Sequence, residues 1–307
     1  MSLATLFSSA GPSGFGARST AEDVTAKLSL EGKTYLVTGC NSGLGQETLR
    51  VLSLRGARVL ATARTAEKAQ AACAQVAAST GKGLALELAD PKSVLACVAA
   101  VKQDGAQLDG IICNAGIMAL PKRELAFGYE LQFFTNHVGH FMLVTGLLNR
   151  LADDARVVML SSAAHQQAPK DGIEFDNLSG EVGYTPWRAY GQSKLANLLF
   201  AKELARRFAG TKKTANAVHP GVIATNLSRH MSPVLKGLFG VVSPLFLKTP
   251  AEGAATQCFV ATHPSVSQVS GQYFADCNVA KPRRDADDVA MAQRLWAKTE
   301  AIIASVR

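Results

Sequence analysis

The sequence predicts an α/β fold: one domain built on a doubly wound parallel sheet, with helices on both faces. Three observations carry this. Short apolar runs recur from Thr34 onward, separated by amphipathic segments long enough to be helices. A glycine-rich stretch, Thr38-Gly39-Cys40-Asn41-Ser42-Gly43-Leu44-Gly45, follows the first run and opens the first amphipathic segment. No internal repeat or low-complexity linker interrupts the 307 residues. Strand–helix alternation at this spacing means right-handed βαβ units, whose strands lie parallel.

Residues 1–27 read as an N-terminal arm, extended where 11–18 are rich in Gly, Ser and Pro, and residues 28–307 as the folded domain. Tyr35-Leu36-Val37 predicts the first strand and residues 46–54 the first helix. Residues 57–61 and 67–78 repeat the pair. Further buried strands are expected over 84–88, 110–113, 157–161 and 214–218. His219 closes the last of these, and Asp153-Asp154 reads as a solvated helix end.

Composition narrows the function classes. With 48% hydrophobic and 18% charged residues the chain is globular, not disordered. The formal charge of +8 comes without a dense basic block beyond Lys212-Lys213 and Arg283-Arg284. It reads as attraction for an anionic cofactor rather than for nucleic acid. Six cysteines form no CxxC pair and no metal-ligand spacing, and they sit in apolar surroundings. A reducing, cytoplasmic setting and no metal follow as expectations. No apolar run reaches 18 residues, so no transmembrane segment is expected, and residues 1–9 lack the charged start of a secretory signal.

The glycine-rich stretch reads as a phosphate loop. Gly39, Gly43 and Gly45 let the backbone turn tightly and approach a pyrophosphate, with Asn41, Ser42 and Leu44 between them. The helix that follows offers free N–H groups and the positive end of its dipole. About twenty residues on, the second strand ends in Ala63-Arg64, with no acid before Glu67. An acid there would bond a ribose 2′-hydroxyl and favour NAD; an arginine grips a 2′-phosphate and favours NADP(H).

Tyr190 and Lys194 lie four apart in a helical run and so share one face. A tyrosine that trades protons near neutrality must fall about three pKa units, and a neighbouring ammonium is a source of that shift. Other strand ends supply company: Asn114-Ala115-Gly116 after 110–113, Ser162 after 157–161, and Pro220-Gly221 through Ile223 to Thr225 after 214–218. Asn136 lies in Thr135-Asn136-His137-Val138-Gly139-His140-Phe141.

With these motifs in order, the chain from Leu28 onward resembles the short-chain dehydrogenase/reductase family, whose sheet is Rossmann-type. It is most similar to the group of retinol dehydrogenases, WW-domain-containing oxidoreductases and protochlorophyllide reductases. Asn136 to Phe141, Tyr190 to Asn197 and Ser270 to Cys277 carry that likeness. The resemblance implies Tyr190 as general acid/base, Lys194 as its pKa partner and ribose ligand, and Ser162 as the hydroxyl that orients the carbonyl. It implies Asn136 as the holder of a proton relay, and Ile223 and Thr225 as neighbours of the nicotinamide amide. Glu87, before Leu88, stands where the family usually carries the Asp that bonds adenine, and Cys113 replaces a more usual Asn.

His137, His140 and His165 lack metal-ligand spacing and read as structural hydrogen-bonding groups. Tyr184 and Trp187 fit either loop packing or substrate contact. An apolar stretch with interspersed basic residues, about 226–248, falls where the family keeps its substrate lid and suggests a hydrophobic carbonyl or alcohol; a helical pair packed on the core and loose membrane contact by a basic apolar helix are the alternatives. Reduction of a carbon–carbon double bond is the rival chemistry, and a non-catalytic NADP sensor the rival outside enzymology. Self-association is open.

Overall fold

The computed structural model describes residues 10–223 and 247–306. Its main sheet forms where the apolar runs predicted it: β1 (Thr34–Val37), β2 (Arg58–Ala63), β3 (Lys82–Ala85), β4 (Leu108–Cys113), β7 (Leu151–Leu160) and β8 (Thr214–His219). All six pair in parallel. Two further strands, β9 (Tyr273–Ala275) and β10 (Asn278–Val279), complete the edge, the last antiparallel. The order β10-β9-β8-β7-β4-β1-β2-β3 reverses direction between β1 and β4. A separate hairpin pairs β5 (Leu125–Ala126) with β6 (Tyr129–Glu130).

Buried strands on both faces need helices on both faces. Helices α2 (Gly43–Leu54) and α7 (Pro250–Thr262) help cover one face, where Leu49, Leu52 and Phe259 pack with Val37, Val59 and Val218. Helices α4 (Pro91–Asp104), α5 (Gly139–Gly146), α6 (Pro186–Arg207) and α8 (Val289–Val306) belong to the other, with Leu36, Ile111, Phe141, Phe200 and Trp296 in its core. Helix α3 (Ala66–Ala74) contributes Ala72 and Cys73 beside the first cluster. Within the sheet Gly110 leaves room for its cross-strand partner: a Cβ there would sit 2.8 Å from the Tyr35 ring.

Three expectations change. Asp153 and Asp154 lie inside β7, not at a helix end. The β4–β7 register slips between Leu108 and Gly110, and that irregularity leaves both aspartates exposed on the strand. The described arm residues are not extended. A capping box on Thr20 starts α1 (Ala21–Thr25), and the Phe15 ring packs edge-on against Phe259 and His263, each at 5.7 Å. Asn278 fixes the arm's backbone, accepting from the Ser13 N–H and donating to the Phe15 carbonyl. Packing of the partly buried Phe15 ring folds the arm back against α7. The third strand ends at Ala85, and Leu86 to Leu88 continue as loop.

Before α5 the chain makes a π-helical turn over Phe134–Val138. Gly139 ends it against the loop after β3: a Cβ on Gly139 would stand 2.3 Å from the Leu88 carbonyl oxygen. Alanine normally stabilises a helix interior relative to glycine; here the sign reverses. Gly139→Ala should cost about 1–3 kcal/mol through overpacking, read as a lower urea midpoint. An unchanged or higher midpoint contradicts the packing described.

Candidate active site

In an open α/β sheet, ligands bind beyond the carboxyl ends of the strands where the order reverses. Here that crevice lies between β1 and β4, and the residues after these strands are tied together. The Asn114 amide donates to the Thr38 carbonyl at 2.8 Å, and the Ala115 N–H donates to Thr38 Oγ1 at 2.9 Å. Gln257 on α7 donates to Asn114 Oδ1 at 3.3 Å and to the Thr48 hydroxyl.

The loop above is shaped for an anion. Gly39 and Gly43 adopt φ of +76° and +58°, which favour glycine. A Cβ on Gly43 would meet nothing within 4 Å, whereas one on Gly45 would fall 2.1 Å from the Gly39 carbonyl oxygen. Helix α2 begins at Ser42 with no side-chain cap bond and no acid in its first turn. Its leading N–H groups therefore face outward for an external acceptor. Asn41 and Ser42 are exposed beside them. These features fit a dinucleotide pyrophosphate. Arg64 follows β2 directly and is exposed. Glu87 turns its carboxylate onto the Ala89 N–H at 3.1 Å, while its own N–H donates to Ser93. Leu88 is buried.

The catalytic candidates converge at the same sheet edge. Helix α6 starts with Pro186 at its first turn and Thr185 as cap, and it buries Tyr190 through Phe200 almost continuously. The Ser162 hydroxyl accepts from the Ala164 N–H and acts to lower the pKa of the Tyr190 phenol. Lys194 Nζ donates to the Leu160 carbonyl at 3.0 Å, and the Lys194 carbonyl accepts from Ser161. Asn136 sits in the π-helical turn, wholly buried. Its Oδ1 accepts from the Ile117 N–H, and its Nδ2 donates to the Ile117 carbonyl and to Ser193 Oγ, all at 2.9 Å. Gly116 passes between the two groups: its Cβ would lie 3.0 Å from Asn136 Oδ1 and 3.5 Å from Lys194 Nζ.

The ammonium of Lys194 stands 5.6 Å over the Tyr190 ring. Burial pushes the phenol up to about 12, the Ser162 hydroxyl acting the other way. Burial likewise brings Lys194 down to about 8. Loss of water is the largest cause at both groups.

The three histidines near the site have hydrogen-bonding partners within the fold. His140 bonds Thr38 and the Asn136 carbonyl, His137 bonds Thr299, and His165 bonds the Ser162 carbonyl. Tyr184 donates to the Leu120 carbonyl, and Trp187 stands edge-on to Tyr190 at 6.1 Å. Pro220, Gly221 and Ile223 follow β8, and Ile223 forms a parallel bridge with Lys248. Thr225 and nearly all of the expected lid lie outside the described residues. Among the described residues no helix is long and apolar enough to cross a membrane, no His, Cys, Asp or Glu cluster could hold a metal, and all six cysteines are free and buried. Thr38, Ser193 and Gln257 were not singled out from the sequence. Thr38 stood within the quoted loop motif and Ser193 within the Tyr–Lys run; Gln257 carried no signal.

Residues 33–235 match the family model described as short chain dehydrogenase. The chain is 40% identical over 300 residues to the chloroplastic short-chain dehydrogenase TIC 32 A of Brassica napus, covering 94% of this chain and 93% of that one. It is 41% identical over 295 residues to human retinol dehydrogenase 14, covering 89% and 87%. Among solved structures, an uncharacterized protein from Mycobacterium paratuberculosis aligns with a TM-score of 0.74 at 34% identity, covering 91% of this chain and 97% of that one. A metagenomic blue fluorescent protein in complex with NADPH aligns with a TM-score of 0.65 at 26% identity, covering 80% and 96%.

Burial of Lys194 makes a stability prediction. Its folded pKa of about 8 lies below the ordinary lysine value of 10.5, a penalty of about 3 kcal/mol on the charged form. The unfolded chain binds more protons between those values, so the penalty is fully present below pH 8 and fades as pH rises toward 10.5. Lys194→Met should therefore unfold at a higher temperature than the parent at pH 7, and the gap should narrow between pH 8 and 10. A gap that is absent at pH 7, or constant with pH, contradicts this.

Proposed function

The chain belongs to the short-chain dehydrogenase family, in its retinol dehydrogenase-like group, and from that premise we propose that it is an NADP(H)-dependent oxidoreductase acting on a hydrophobic carbonyl or alcohol. The observation that carries the reading is the convergence of Tyr190, Ser162, Lys194 and Asn136 at the switch point, next to a helix start left open for phosphate. The nicotinamide, when bound, supplies or takes up the hydride.

The protein's own part is proton handling and orientation. In the free protein the Tyr190 phenol is neutral at pH 7, with its pKa raised to about 12, so it is in the form that donates to a carbonyl oxygen as that oxygen gains charge. The Ser162 hydroxyl, which acts on the Tyr190 phenol, orients the same oxygen. Lys194 holds its ammonium at the face of the Tyr190 ring, and in this reading it binds the ribose and favours the phenolate once the proton has gone. Asn136 keeps the Ile117 segment and the catalytic helix in register. Leu88, Ala115 and Gly116 would line the dinucleotide site, with Glu87 at its adenine end.

Arg64 supports the cofactor preference. It is exposed at the end of β2 and forms no ion pair among the described residues, so its guanidinium is available to a 2′-phosphate. Trp187, 43% exposed, offers an aromatic wall beside Tyr190, which suits an apolar substrate.

Two measurements test the reading. By fluorescence titration the protein should bind NADPH more tightly than NADH. Arg64→Ala should weaken NADPH about tenfold or more, the loss of a charge-assisted pair, and leave NADH nearly unchanged; equal weakening of both removes the NADP assignment. Tyr190→Phe should lower turnover of a bulky aldehyde by at least about a hundredfold with NADPH affinity within about threefold. Retained turnover means another group is the acid.

A further inference from the structure

His140 lies four residues past Asn136, is fully buried, and touches two parts of the site at once. Its Nδ1 is 2.9 Å from the Asn136 carbonyl oxygen, and its Nε2 is 2.9 Å from Thr38 Oγ1. The polarity of these bonds follows from their partners. A carbonyl oxygen can only accept, so Nδ1 carries the proton. Burial, with the Lys194 charge nearby, brings the imidazole down to about 4, so it is neutral and Nε2 must accept. The Thr38 hydroxyl therefore donates to Nε2 while Oγ1 accepts from the Ala115 N–H. The tautomer is fixed by its surroundings.

The chain continues at both ends. The Thr38 carbonyl accepts from the Asn114 amide. The Asn136 side chain grips both polar groups of the Ile117 backbone and Ser193 Oγ, which donates to the Tyr190 carbonyl. One directional series of hydrogen bonds thus runs from the phosphate loop to the helix that carries Tyr190, and His140 is its only link between β1 and the π-helical turn among the bonds described.

We propose that His140 is a positioning residue that sets the phosphate loop and the Asn136 turn in one register, so that its two ring nitrogens govern different steps. Nε2, through Thr38, fixes the Thr38–Ala115 seam where the dinucleotide lies. Nδ1, through the Asn136 carbonyl, fixes the turn from which the Tyr190 helix is held. The inference rests on the functional reading above and deepens it.

Asparagine places a donor where Nδ1 stands and lacks the Nε2 acceptor; glutamine reaches the Nε2 position and lacks the Nδ1 donor. His140→Asn should raise the NADPH dissociation constant about tenfold and leave kcat within about threefold, because the Thr38 arm is lost. His140→Gln should do the reverse. Thr38→Ser should behave as the parent and Thr38→Val as His140→Asn. The double variant Thr38→Val/His140→Asn should be no worse than either single one, since both remove the same bond. Independently of any variant, ¹⁵N spectra of the parent should show His140 as the neutral Nδ1–H tautomer. Additive losses, equal effects of Asn and Gln on both constants, or an Nε2–H tautomer would overturn the inference while the functional reading stands. A parent protein without NADPH affinity would overturn both.

Discussion

Asn136 has no exposed surface, yet its carboxamide meets three hydrogen-bonding groups from two distant parts of the chain. The rest of the site depends on that clamp. Ile117 belongs to the segment leaving β4 at the switch point, and Ser193 belongs to the helix that carries Tyr190 and Lys194. A buried amide left unsatisfied costs about 1–3 kcal/mol per group. The two segments therefore cannot drift apart without a loss comparable to a large fraction of a domain's net stability. The π-helical turn makes the clamp possible by shifting the helical hydrogen-bond register around Asn136 and its carbonyl. Gly139 lets the turn settle onto the Leu88 backbone, and Gly116 lets Asn136 and Lys194 approach one another.

Around this clamp the protein holds two ionisable groups out of water. Burial moves Tyr190 and Lys194 in opposite directions on the pKa scale, and in both cases toward the neutral form. The folded state thus carries a desolvation cost that packing elsewhere offsets, as is common where structure serves chemistry rather than stability. One carbonyl contact moderates it: Leu160 accepts from Lys194 Nζ at 3.0 Å, as it does from Asn197. The Lys194 ammonium is therefore held by backbone, and its charge is poised at the ring face of Tyr190.

The main sheet was legible because its strands are near-continuous apolar runs, which parallel burial on both faces demands. The glycine-rich loop after β1, the place of Arg64 after β2 and the shared helix of Tyr190 and Lys194 were legible because each is written in a short local stretch. What escaped depends on distant partners. Thr38 acquires its part only because His140 lies opposite, 102 residues away. Gln257 reaches Thr48 and Asn114 from a helix near the other end of the chain. The three-residue β9 is embedded in a polar stretch, and its pairing with β8 is what makes it a strand. Asp153 and Asp154 look like a helix terminus until the register slip in β7 is seen.

The central claim is that this site moves a hydride between NADP(H) and the carbon of a hydrophobic carbonyl, with the protein supplying the proton. Isotope transfer tests it most directly. NADPH deuterated at the transferable position of nicotinamide C4 is incubated with the protein and a bulky unsaturated aldehyde, and the product is read by mass spectrometry and NMR. The account predicts one deuterium on the carbinol carbon of the alcohol, with the carbon–carbon double bond intact. Deuterium on a former alkene carbon, or NADPH bound without any transfer across aldehydes and ketones of graded size, would contradict it.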